Sequence, residues 1–185
     1  FLQQIINGLV QGSVYALVAL GYTMVYGILG LINFAHGEVV MVGAMLAISS
    51  LTALLGVGVP PLLALPLSAG LAMLGCMALG YGIERIAYRP LRHAPRLAPL
   101  ITAIGVSIVL QNLAMMVWGR EYHSFPQLIA NNPHSIGGAI INDIQIIIFV
   151  LALAIMAGLM LLVHRTRLGR SMRAVAENQH AAQLM

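Results

Sequence analysis

The sequence predicts an all-α, polytopic integral membrane bundle of about five transmembrane helices, and three observations predict it. The first is composition: 60% of the 185 residues are hydrophobic and 8% are charged, with a mean hydropathy of +0.93. Soluble domains carry about 25% charged residues, so there is too little charge here to coat a soluble core, and lipid must solvate most of the surface. The second is the presence of five apolar runs close to the ~20 residues needed to cross a bilayer as a helix. The third is charge placement. All nine basic residues are Arg; Arg85, Arg89, Arg92 and Arg96 form one cluster, Arg165, Arg167, Arg170 and Arg173 another, and Arg120 stands apart. Basic residues accumulate in cytoplasmic loops, so the net charge of +4 speaks of topology and argues against nucleic-acid binding.

The first run covers residues 9–31 and carries Gln11, Ser13, Tyr15, Tyr22, Thr23 and Tyr26. Gly8 and Gly12 make a small-xxx-small pair, and Gly21, Gly27 and Gly30 add further places where a second helix backbone could approach. Tyr22 and Tyr26, four apart, share a face; they either line a path or sit in an interfacial aromatic belt. The second run, 39–59, is closed by Pro60-Pro61, which marks a turn. The third, 62–83, contains Gly70, Gly75, Gly80 and Gly82 and ends where charge begins. Residues 84–96, punctuated by Pro90 and Pro95, read as a basic cytoplasmic loop.

The fourth run, 97–118, carries Thr102, Gly105, Ser107, Gln111 and Asn112; its two adjacent amides need partners if they face the membrane interior. Residues 119–142 read as an outer-face loop with short hairpin-like pieces. His123 and His134 lie there without metal-ligand spacing. The fifth run, 144–163, is almost purely aliphatic and suits a lipid-facing helix. Two spans separate the Arg clusters, which puts both on one side of the membrane. Cys76, the single cysteine, lies in an apolar run, so no disulfide or cysteine-based metal site is available, and it reads as a small core residue. The chain opens at Phe1 without an initiator Met, a basic n-region or a cleavage site and closes at Met185 inside a helical pattern; both ends suggest a piece of a longer protein.

Two polar constellations stand out. Between the first two runs lies Asn33-Phe34-Ala35-His36-Gly37-Glu38, where ionisable groups are costly and point to function. Asn33 is a good cap and Gly37 gives the backbone latitude, so the stretch reads as a break in a helix beside a transport path, as an interfacial turn, or as a site of chemistry. His36 and Glu38 alone are too few to ligate a metal. The second is residues 169–185, where Met172, Val175, Ala182 and Met185 recur near helical spacing, with Arg173, Glu177 and His180 elsewhere around the helix. This predicts a cytoplasmic amphipathic helix that lies on the membrane surface or docks into a groove on a partner.

The stretch QQIINGLVQGSVYALVALGYTMVYGILGLINFAHGE, followed in order by ERIAYRPLR, ITAIGVSIVLQN and GRSMRAVAEN, resembles the LivH-type permease of bacterial branched-chain amino acid ABC importers. The likeness runs from Gln3 to Met185 and is weakest around residues 119–142. It implies an ABC importer permease fold in which 1–185 is an incomplete transmembrane domain, multi-pass in the bacterial inner membrane, and 169–185 is a helix meeting the ATPase through Arg173, Ala176, Glu177, Ala181 and Ala182. It implies as partners a second permease subunit of related fold, two cytoplasmic ATPases and a periplasmic substrate-binding protein. The solute implied is a branched-chain amino acid such as leucine, isoleucine or valine; urea or amides are the alternative within the same frame.

The chain itself would then be no enzyme. It holds no catalytic residue, metal or cofactor, and a sequence without Lys contains no phosphate-binding Gly-x-x-x-x-Gly-Lys-Ser/Thr loop, so ATP belongs to the partners. The expected substrate path takes in Tyr22, Tyr26, Asn33, His36, Glu38, Gln111 and Asn112. Two rivals are an ion-coupled secondary carrier that would use His36 and Glu38 and a membrane-embedded hydrolase, for which no nucleophile–base pair stands out.

Overall fold

A computed structural model describes residues 1–30, 33–91, 94–95, 97–126, 128, 132–136 and 138–177. Among them are five helices long and apolar enough to cross a membrane, and the protein is a multi-pass helical membrane protein. The helices are α1 (Leu2–Leu29), α2 (His36–Gly56), α3 (Pro61–Ile83), α4 (Leu97–Trp118) and α5 (Asp143–Arg165), with a shorter α6 (Arg167–Glu177) and a hairpin of β1 (Pro133–Ile136) and β2 (Ala139–Asn142). The chain divides into two compact units, one of Phe1–Gly30 with Ile129–Met185 and one of Leu31–Leu128.

In the first unit, α1 packs along α5 and meets α6 and β2. It starts at Leu2, seven residues before the apolar run, because the polar residues at its start have partners. Gln3 clamps the hairpin, its Nε2 donating to Ile140 O at 2.9 Å and its Oε1 accepting from Ile140 N at 2.7 Å. Asn7 Oδ1 accepts from Gln3 at 3.1 Å and from Gln145 at 3.4 Å. The helix stops at Gly30, whose φ of 64° is the left-handed C-cap and whose N–H returns to Tyr26 O at 2.8 Å. The hairpin expected in the outer loop is present, antiparallel, with Ile136 opposite Ala139. A capping box of Asn142 and Gln145 starts α5.

In the second unit, α2 and α3 form an antiparallel pair. Pro60 is extended and Pro61 occupies the first turn of α3, where its missing N–H leaves nothing unpaired. Leu51, Ala64, Ser68 and Ala72 are buried. Close backbone approach occurs where few of the small-residue expectations put it. Among the described residues, Gly8, Gly12, Gly27, Gly30, Gly70, Gly80 and Gly82 have nothing within 4 Å of where a Cβ would stand, whereas Gly43 faces Cys76 Sγ at 2.7 Å and Gly75 faces Leu46 Cδ1 at 2.5 Å. Small residues permit contact in lipid but do not by themselves attract it. Gly75→Ala is expected to cost about 1 kcal/mol because Leu46 must change rotamer. With Leu46→Ala added, the double variant should lose less stability than the two singles summed, as thermal unfolding in micelles would report; strict additivity would mean that the two residues do not meet.

Residues 84–91 are not a loop. The helix of α3 continues through a π turn at Glu84–Tyr88 and a 3₁₀ turn at Arg89–Leu91, giving a helical run of 31 residues from Pro61 to Leu91. Charge marks a change of solvent but does not end a helix, and Pro90 breaks only the bonding ahead of it. Arg92 and Arg96 of the same cluster lie outside the described residues.

Candidate functional site

The second unit brings the polar stretch at residues 33–38 against α4 and the end of the α3 run. Asn33 Oδ1 accepts from Ala35 N at 3.1 Å and from Tyr88 Oη at 2.7 Å, and Asn33 O accepts from His36 N at 3.1 Å. The side chain thus mimics a backbone turn and starts α2, while the π turn anchors it through Tyr88. Ala35 is fully buried beneath. His36 opens α2, and Glu38 stands in its first turn, where a negative charge suits the helix dipole.

Glu38 Oε1 accepts two hydrogen bonds from α4, from Gln111 Nε2 at 2.6 Å and from Ser107 Oγ at 3.1 Å. Ser107 and Gln111 are four residues apart and so share a helix face. At the other end of the pair, Trp118 Nε1 donates to Ser49 Oγ at 2.7 Å. Both helices advance together between these ties, from Glu38 to Ser49 and from Gln111 to Trp118, so α2 and α4 run parallel.

The ties also fix where α2 starts along its neighbours. Ser107 is the eleventh residue of the 22 in α4. Val39 O lies 3.7 Å from the Sγ of Cys76, the sixteenth of the 31 residues from Pro61 to Leu91. The first turn of α2 therefore stands beside the middle of α4, about 15 Å along it from its start at the usual helical rise, and beside Cys76, eight residues before the charge that begins at Glu84. Residues 33–38 thus lead into a helix, His36–Gly56, that is itself long enough to cross a membrane.

Of the seven expected path residues, the structure brings together Glu38 and Gln111, with Asn33 close by as the turn former. Asn112 is exposed and spends its Nδ2 on Ile108 O of its own helix at 2.7 Å, away from the cluster. Tyr22 and Tyr26 lie on α1 in the other unit, with Tyr26 half-exposed. The latitude expected of Gly37 is not used: it sits in regular helix, exposed, with nothing within 4 Å of a Cβ. Ser107 and Tyr88 are the members the sequence reading missed; Ser107 could have been found from its helical spacing to Gln111, whereas nothing local marks Tyr88.

Elsewhere, His134 pairs with Asp143 at 2.6 Å and His123 Nε2 donates to Trp118 O at 2.9 Å. No group of three or more His, Cys, Asp and Glu that could hold a metal occurs among the described residues. On α6, Arg173, Ala176 and Glu177 are exposed; Ala181 and Ala182 lie outside the described residues.

Residues 4–185 match the family described as "Branched-chain amino acid transport system / permease component". The chain belongs to this family. Among curated relatives it is 47% identical, over its whole length, to the high-affinity branched-chain amino acid transport system permease protein BraD of Pseudomonas aeruginosa and 42% identical to LivH of Escherichia coli. A probable LivH of Methanocaldococcus jannaschii is 28% identical over 97% of the chain. The chain spans 62% of the length of the BraD and LivH proteins and 56% of the archaeal one. No solved structure matches it.

Proposed function

We propose that the chain is the membrane-spanning permease part of an ATP-binding cassette importer that moves branched-chain amino acids inward across a bacterial inner membrane. The observation that carries this reading is the ordered family match over residues 4–185, with relatives named for branched-chain amino acid transport. The family description, a component of a transport system, favours a subunit that works with others. The residues given contain no Lys and so no phosphate-binding loop of the usual kind, and the reading assigns ATP hydrolysis to partner subunits.

In this reading the exposed side of α6, with Arg173, Ala176 and Glu177, is the surface an ATPase moves. The path passes the start of α2, where Glu38 meets Ser107 and Gln111 of α4. Reconstitution of the full-length protein with its partners tests the reading. Leucine uptake into proteoliposomes should require ATP and persist when proton and sodium gradients are dissipated. Uptake that follows an ion gradient instead would make the protein a secondary carrier, and ATP-driven uptake of urea or amides without leucine would overturn the substrate.

A further inference from the structure

We propose that Glu38 receives the ammonium group of the amino acid in transit, through its Oε2 atom. This rests on the amino-acid importer reading above and assigns the residue that reads the amine. The chain has five acidic residues. Asp143 begins α5, Glu84 follows α3, Glu121 lies beyond α4 and Glu177 ends α6. Glu38 alone stands beside the middle of an apolar span, at Ser107 of α4. A carboxylate against the middle of an apolar helix is expensive unless matched by a partner or by water.

The cluster matches it by half. Both donors, Ser107 Oγ and Gln111 Nε2, converge on Oε1, and no described residue donates to Oε2. One oxygen is thereby committed to holding the side chain in place, while the other accepts from no described residue, and Glu38 is half-buried, within reach of a solute. The complement of that oxygen is a group that donates hydrogen bonds and carries positive charge. An ammonium has three donors and no acceptor, and its bond to a carboxylate is of the strong, charge-assisted kind. Leucine, isoleucine and valine each bring such a group on an aliphatic body that asks nothing polar of its surroundings. Ser107 and Gln111 are positioning residues in this scheme, and Glu38 is the one that touches the substrate.

The test is a ligand panel on the full-length importer in micelles, read by thermal shift. Leucine and 3-methylbutylamine, which share an ammonium, should each raise the melting temperature, and 4-methylpentanoate, which lacks one, should not. In Glu38→Gln, which keeps the shape and the bonds from Ser107 and Gln111, the apparent affinity for leucine should fall roughly tenfold or more, the scale of one charge-assisted contact. An equal response to 4-methylpentanoate, stabilisation by sodium ions in place of amines, no response to any amine, or a leucine response unchanged in Glu38→Gln would each overturn the assignment. The wild-type panel needs no variant and stands if Glu38→Gln fails to fold. If ATP-driven leucine uptake holds while the panel fails, the Glu38 assignment alone falls; if uptake itself is absent, the importer reading falls.

Discussion

Gln111→Glu is expected to destabilise the protein by about 3 kcal/mol, because it sets a second carboxylate against Glu38 and removes the donor that Glu38 relies on. The present N–O separation is 2.6 Å, and two carboxylates so close cannot both ionise. Ser107 at 3.1 Å would remain the one described donor to Glu38 Oε1. Gln111→Ala loses the bond without adding repulsion and should cost about 1–2 kcal/mol. Combined with Glu38→Gln, the Gln111→Glu change restores an amide facing a carboxylate with the roles exchanged, and most of the lost stability should return. Thermal unfolding in micelles of the four chains decides it: a double variant no more stable than Gln111→Glu alone would mean that the two side chains do not pair. The swap also separates structure from transport, since it repairs the tie between α2 and α4 while moving the negative charge onto the other helix. Restored stability without restored leucine transport is the expected combination.

The architecture could be read from the sequence wherever it depends on properties summed over a run. Five spans, the Pro60-Pro61 turn and the hairpin between the fourth and fifth spans all follow from hydropathy and turn chemistry. Element ends were harder, because they depend on partners far along the chain. Nothing near Gln3 announces that Ile140 will satisfy both ends of its amide, so the first helix was expected seven residues late. The run of Arg after Glu84 suggested a loop when it marked only a change of environment around a continuing helix. Glu38 and Gln111 were singled out by residue type, and the structure pairs them, since polar groups inside an apolar run must find each other or water. Which polar groups pair is a matter of register. Where α2 starts along its neighbours likewise was not a local property: it came from Val39 meeting Cys76 and Glu38 meeting Ser107, contacts spanning 37 and 69 residues of chain.

Gly169→Ala is expected to dislodge α6 from the end of α5, and here the expected cost comes from space and not from backbone conformation. The two helices are separated by Thr166 alone, which is extended. Its Oγ1 donates to Leu162 O at 2.6 Å and accepts from Gly169 N at 3.1 Å, so one hydroxyl closes α5 and caps α6. That double use draws Gly169 down onto the last turn of α5, where it is buried and where a Cβ would run into the carbonyl oxygens of Leu162 and Val163. At Gly75 the obstacle is a leucine side chain that can turn away; at Gly169 it is hydrogen-bonded helix backbone, which cannot move without unwinding. The cheapest relief is for α6 to swing off, at an expected cost of about 3 kcal/mol, the upper end for overpacking. Thr166→Ala, which removes the cap but leaves the space, should cost about 1 kcal/mol. Hydrogen exchange of α6 and tryptic cleavage at Arg170 and Arg173 should rise strongly in Gly169→Ala and modestly in Thr166→Ala. Equal protection in wild type and Gly169→Ala would show that the elbow has room. If α6 is the surface that an ATPase moves, the same substitution should leave ATP hydrolysis running while leucine uptake falls, because a helix no longer seated on α5 cannot pass its displacement into the spans.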